Sequence, residues 1–88
     1  MSASQIKTAD DVYHFVERLK SECQKNGASA LLDQLDDALH LGSSGLEIMG
    51  AVRQAIIGNR ALIERLLGAA GKDEAKQVVA FVDSAFGR

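Results

Sequence analysis

The chain has 88 residues, of which 47% are apolar and 5% aromatic, and its 12 acidic and 10 basic side chains give a formal net charge of −2. This length allows a single domain. The basic residues are scattered among acids, which argues against the basic patch typical of a nucleic-acid-binding surface. The single cysteine, Cys23, excludes an internal disulfide bond and a zinc site built on cysteine pairs.

Nothing in the sequence indicates a membrane span or a signal peptide. Arg53, Gln54 and Arg60 interrupt the longest apolar run well short of the roughly 18 residues that a membrane span needs. The first eight residues carry one Lys and no apolar stretch of the signal-peptide kind. We therefore expect a cytoplasmic protein that does not contact membranes.

Residues 1–8 lack helical periodicity and are expected to form a flexible lead-in to one all-helical domain over residues 9–88. Thr8 is predicted to cap the first helix, and Asn26-Gly27 to end it. The apolar residues of this helix recur at helical spacing and predict a buried stripe of Val12, Phe15, Val16, Leu19 and Cys23.

The second helix is predicted to begin after an N-cap at Ser29 and to end at Gly42. Ser44 and Glu47 match a capping box at the start of a third helix. The buried side of the second helix is predicted to comprise Leu31, Leu32, Leu35, Ala38 and Leu39.

The third helix, Leu46–Ile57, is apolar nearly all round and is predicted to occupy the centre of the bundle. Gly50 lies inside this helix, where Gly costs about 1 kcal/mol relative to Ala. We therefore expect another group to pack tightly against Gly50.

The last part of the chain contains two further apolar segments. Asn59 is predicted to cap a short helix over Arg60–Leu67, although one continuous kinked helix is the alternative. Gly68–Gly71 is predicted to be a flexible connection to a final helix, Lys72–Phe86. The predicted stripe of that helix is Ala75, Val78, Val79, Val82, Ala85 and Phe86, with Phe81 beside it. The sequence thus predicts an all-α, single-domain bundle of four to five short helices.

A helix-turn-helix over residues 34–53 is one alternative function, that of a DNA-binding regulator. A recognition helix needs Arg, Lys, Asn or Gln directed at base edges, and Arg53 is the only base on this surface. We therefore expect no nucleic-acid binding. The positions with matching spacing are Ala38, Leu41, Gly42 and Ile48.

A metal-dependent enzyme is a weaker alternative, based on one acidic face of the second helix. Two carboxylates and an imidazole on neighbouring turns could share a divalent metal. One helix supplies only a partial set of ligands, and no matching Glu-x-x-His pair occurs elsewhere, so we favour a solvated face. The residues concerned are Asp33, Asp36, Asp37 and His40.

No catalytic group, metal or cofactor is expected elsewhere, and the protein is predicted not to be an enzyme. Cys23 continues a buried stripe, and His14 projects from the other side of the same helix, so the two cannot form a nucleophile and base. The glutamates are expected on exposed faces, where burial does not shift a pKa. They are Glu17, Glu22, Glu47, Glu64 and Glu74.

The favoured hypothesis is a small protein–protein interaction or regulatory module that acts by homodimerisation or by binding a partner helix. The chain carries more apolar surface than a monomer of this size obviously needs, and large exposed apolar patches are uncommon on stable monomers. The residues expected to line the interaction surface are Leu46, Met49, Val52, Ile56, Ile63, Leu67 and Phe81.

Overall fold

Four α-helices pack into one bundle in the computed structural model, which describes residues 5–40 and 44–87. They are α1 (Ala9–Asn26), α2 (Ser29–Leu39), α3 (Gly45–Gly58) and α4 (Arg60–Ala85). None of the residues that the structure describes forms a strand, so the all-α class is confirmed. Each of the four helices packs against two others, with α1 and α3 each in contact with both α2 and α4, so the central position predicted for α3 stays a prediction.

The core consists of the apolar stripes of all four helices. The five predicted residues of α1 are buried, as are Leu31, Leu35 and Ala38 of α2. Helical spacing therefore selects the inward face of α1, whereas Leu32 and Leu39 of the predicted α2 stripe are half-buried and Ala85 of the predicted last stripe is exposed. α3 and α4 complete the core with Met49, Val52, Ala55, Ile56, Ile63, Ala75, Val78 and Val82.

Both predicted ends of α1 are confirmed. The Thr8 hydroxyl accepts a hydrogen bond from Asp11 N (3.2 Å), and the Asp11 carboxylate accepts one from Thr8 N (3.0 Å), which together form a capping box. Gly27 ends the helix in the left-handed region, with φ 70°. Before the helix, Ile6 packs against the core, and its N–H donates to Gln77 Oε1 at 3.0 Å. Residues 1–4 of the predicted lead-in lie outside the described residues.

The start of α2 differs from the prediction. Ala28 occupies the N-cap position and Ser29 is the first helical residue, so the Ser29 hydroxyl does not cap the helix. α1 and α2 are separated by only Gly27 and Ala28, and the Ala28 N–H is already bound to Cys23 O at 2.9 Å. The helix ends at Leu39, and the predicted end at Gly42 lies outside the described residues.

Ser44 is the N-cap of α3, as predicted, and its hydroxyl accepts a hydrogen bond from Glu47 N at 3.1 Å. The reciprocal bond of the predicted capping box, from Ser44 N to the Glu47 carboxylate, is absent among the described residues. The tight contact expected at Gly50 is also confirmed. A Cβ placed on Gly50 would lie 3.3 Å from the Cζ of Phe86. The end of α4 therefore lies directly over the middle of α3, and Gly50 leaves room for the aromatic ring.

α3 and α4 are separate helices, and Asn59 occupies the N-cap position of α4, as predicted. Its side chain makes no capping hydrogen bond to α4. Instead, Nδ2 donates to Ala55 O (2.8 Å) and to Gln34 Oε1 (3.1 Å). Asn59 therefore satisfies a carbonyl at the end of α3 and links that end to α2.

α4 is divided at a single residue, Gly68, whose φ of 77° and ψ of −170° are not helical. The predicted four-residue connection is therefore wrong, because the chain is helical again directly after Gly68. Gly71 is buried, and a Cβ placed on it would lie only 2.0 Å from the Cβ of Leu67. Gly68 thus permits the turn, and Gly71 permits the contact that the turn creates. We call residues 60–67 the first arm of α4 and residues 69–85 the second arm.

Candidate functional site

A cleft of about 540 Å³ lies between the end of α3 and the two arms of α4. Its volume falls within the range of ligand pockets, which is roughly 300–1,000 Å³. We name it the basic cleft, and it is lined by Ile56, Arg60, Ala61, Ile63, Glu64, Lys72, Ala75, Lys76 and Val79.

The change of direction at Gly68 creates this cleft, because it makes the two arms of α4 opposite walls. In the second arm, Lys72, Lys76 and Val79 follow at steps of four and three residues and therefore share one face. Ile56 and Ile63 belong to the buried core and form the floor. The cleft is thus an apolar recess whose rim is formed by polar side chains.

The rim of the basic cleft carries three cations and one carboxylate. Lys72 Nζ lies 3.5 Å from Glu64 Oε1, across the opening between the arms. Arg60 and Lys76 are exposed, and neither has an ion-pair partner within residues 5–40 and 44–87. The rim therefore has a formal charge of +2, with two cations free to bind an anionic group.

Cys23 lies away from this cleft and is 1% exposed. Burial raises the pKa of its thiol, and the nearby Glu22 adds to the effect. A buried thiol held in its neutral form is a poor nucleophile. The predicted placement of Cys23 on the buried stripe is therefore confirmed.

The structure places the seven predicted interaction residues in two different environments. Met49, Val52, Ile56 and Ile63 are buried in the core, and of these Ile56 and Ile63 also line the floor of the basic cleft. These four side chains are apolar because they pack between helices. The sequence alone could not distinguish such internal packing from a protein–protein interface. The remaining three are accessible: Leu46 is 54% exposed, and Leu67 and Phe81 are half-buried.

Leu46 borders a second, shallower groove of about 550 Å³ along α3. Phe86 and Gly50 also line this groove, which places it beside the tight contact between α3 and α4. Among the residues that the structure describes, Glu47 is the only charged one that lines this groove.

The acidic face of α2 is largely solvated. Asp36 binds Lys20 Nζ of α1 at 2.7 Å, and His40 Nδ1 donates to the carbonyl oxygen of Asp36 at 2.7 Å. Asp33 and Asp37 are exposed and have no ion-pair partner in the described part of the chain. The same part contains no group of three or more His, Cys, Asp or Glu side chains arranged to hold a metal ion.

Glu74 departs most clearly from the sequence analysis, because it is 5% exposed instead of lying on an outer face. Both of its carboxylate oxygens accept hydrogen bonds from Arg18, with Nη1 to Oε1 at 3.1 Å and the Nη2–Oε2 pair shorter. These hydrogen bonds raise the pKa of the Arg18 guanidinium. Arg18 also lies over the ring of Phe15, at 5.8 Å from its centroid. The pair therefore joins α1 to α4 and leaves no unpaired buried charge.

The region considered for a helix-turn-helix is described only in part, because Leu41 and Gly42 lie outside the described residues. Ala38 is buried, Ile48 is half-buried, and Arg53 Nε donates to Asp83 Oδ1 at 2.6 Å. The one cation of the supposed recognition surface is therefore already held in an ion pair with α4.

No family model matches the chain, and neither does any curated protein or solved structure. Within the described residues, no helix is sufficiently long and apolar to cross a membrane.

The cations of the basic cleft were not predicted from the sequence. The spacing of Lys72 and Lys76 indicates one shared helical face, and this signal is visible in the sequence. The angle between the arms of α4 brings Arg60 to the same opening, and residue spacing does not encode that angle.

Proposed function

We propose that this protein is a small cytoplasmic interaction module without catalytic activity, and that the basic cleft accepts an acidic amphipathic helix from a protein partner. One observation carries the proposal: Arg60 and Lys76 lie at the rim of an apolar recess and have no ion-pair partner among residues 5–40 and 44–87. An acidic helix with small or apolar side chains offers carboxylates to this rim and apolar groups to the floor.

The dimensions of the basic cleft support a helical occupant. The wall from Lys72 to Val79 covers seven residue steps, or roughly 10 Å along the helix axis. About two turns of a partner helix match this length. A contact of this size is small for a protein interface, so we expect weak and reversible binding.

A synthetic amphipathic peptide with Glu and Leu on one face tests the proposal by titration into ¹⁵N-labelled protein. We expect amide shifts concentrated at Ala61, Lys76 and Val79, and no such shifts with a peptide in which Lys replaces each Glu. Lys76→Glu should weaken binding at least fivefold, because it replaces an attraction with a repulsion.

Arg65→Glu is the matched control, since Arg65 is exposed on the first arm but does not line the basic cleft. It should change the affinity less than twofold. Equal binding of the acidic and basic peptides, or shifts confined to other surfaces, would refute the proposed function.

A further inference from the structure

We infer that a second copy of this chain supplies the acidic helix, with α2 of each copy lying in the basic cleft of the other. The inference rests on the proposed function and names the partner. It starts from the distribution of charge: α2 contains three Asp and neither Lys nor Arg, whereas the rim of the basic cleft has a formal charge of +2. Each surface therefore carries the charge that the other lacks.

The charges on the two surfaces have the same spacing. Asp33 and Asp37 lie one helical turn apart on α2, and Lys72 and Lys76 lie one turn apart on α4. Each pair is separated by four residues, or roughly 6 Å along its helix. Two helices placed side by side can therefore form both charge contacts in one register, with Lys72 sharing its contact with Glu64 or exchanging it for the second copy's carboxylate.

The carboxylates of α2 remain available for such a contact. Lys20 neutralises Asp36 on the flank that packs against α1. Asp33 and Asp37 are exposed and unpaired within the described chain. Ala30 is also exposed and lies on the same side of α2 as Asp37, so a small apolar side chain faces outward beside the charges.

The position of α2 on the molecule fits a two-fold dimer. Gln34 of α2 accepts a hydrogen bond from Asn59, which directly precedes Arg60 of the basic cleft. The acidic face and the basic cleft are therefore neighbours on one side of the bundle. A two-fold axis between neighbouring complementary surfaces makes both contacts at once and closes the assembly at two copies.

Charge reversal on each surface provides the test, with mass measured by light scattering at low salt across a range of protein concentrations. We expect the wild-type chain to approach twice 9.4 kDa as its concentration rises, and to dissociate at about 1 M salt, where screening shortens the Debye length to roughly 3 Å. Asp33→Lys with Asp37→Lys, or Arg60→Glu with Lys76→Glu, should weaken the dimer by at least tenfold, because each substitution occurs in both contacts.

Mixing the two charge-reversed variants should restore a dimer, since one contact is then fully reversed and the other is wild-type. Arg65→Glu is the control and should leave the dimer intact, and circular dichroism should show unchanged helicity in every variant. A wild-type monomer at high concentration and low salt, or a dimer insensitive to both reversals, would overturn the inference.

The peptide titration, repeated on the variant with Asp33→Lys and Asp37→Lys, keeps the two proposals apart. This variant retains the basic cleft and cannot fill it with its own α2. Peptide binding together with a monomeric wild-type chain would overturn only the dimer, whereas loss of peptide binding here would overturn the proposed function.

Discussion

Gly71→Ala tests the sharpest steric constraint in the fold. The added Cβ would lie 2.0 Å from the Cβ of Leu67, whereas carbon atoms in favourable contact are about 3.5–4.0 Å apart. A Cβ is fixed by its backbone, so rotation of a side chain cannot relieve the overlap. One arm of α4 must shift, and both arms contribute to the core.

The expected loss follows from two opposing contributions. Overpacking of a filled core costs about 1–3 kcal/mol or more, and an overlap this deep belongs at the upper end. Replacement of Gly by Ala inside a helix stabilises the helix by about 1 kcal/mol. We expect a net loss of about 2 kcal/mol in the free energy of unfolding, which for a domain of this size lowers the Tm by roughly 8–16 °C.

Urea denaturation followed by circular dichroism measures this loss in the free energy of unfolding. Alanine substitutions of two other glycines serve as comparison variants. Gly58→Ala meets no atom within 4 Å and should stabilise the protein by up to about 1 kcal/mol. Gly50→Ala places its Cβ 3.3 Å from the end of the Phe86 ring, which can move slightly, so it should fall between the other two. If Gly71→Ala were as stable as Gly58→Ala, the steric account of the Gly68 turn would be wrong.

Three further predictions concern single side chains. Arg18→Met leaves the buried Glu74 carboxylate unpaired and should lower the free energy of unfolding, measured by urea denaturation, by about 2 kcal/mol. This value lies between those for exposed and fully buried ion pairs because Arg18 is half-exposed. Glu74→Gln should lower the free energy of unfolding by less, and equally small losses in both variants would contradict the prediction. Hydrogen bonds, chiefly from Lys7 N, lower the pKa of Asp11 below 3.8. The wild-type chain should therefore be more stable than Asp11→Ala above pH 3.8, and this difference should disappear as the pH falls through the lowered pKa. A stability difference that does not depend on pH would refute this prediction. Cys23 should react with a maleimide only as fast as the bundle opens, so a native rate equal to that in urea would show the thiol to be accessible.

Features specified by neighbouring residues were predictable from the sequence. The Thr8 cap, the Gly27 stop and the buried stripe of α1 each depend on groups within about one or two turns. The presence of a close neighbour at Gly50 was also predictable, because Gly inside a helix is otherwise unfavourable. Its identity as Phe86 was not predictable, since nothing local connects the two residues.

Features that depend on distant partners were not predictable. Glu74 stands among charged residues and is typical of an exposed face, but its partner Arg18 lies 56 positions earlier in the chain. Asn59 occupies the predicted N-cap position of α4, yet its amide donates to Ala55 and Gln34 because α2 passes close by. The same limit applies to the basic cleft, where Arg60 and Lys76 meet only after α4 has turned.

The turn at Gly68 makes the basic cleft depend on the number of residues between its walls more than on their identity. Each helical residue advances the chain by 100° around the axis. Insertion or deletion of one residue between Gly68 and Lys72 would therefore rotate Lys72 and Lys76 by about a quarter of a turn relative to Arg60. Exposed Ala69 and Ala70 can accept many side chains, whereas a change of length there would separate the cations and would also turn the buried Ala75, Val78 and Val82 away from the core.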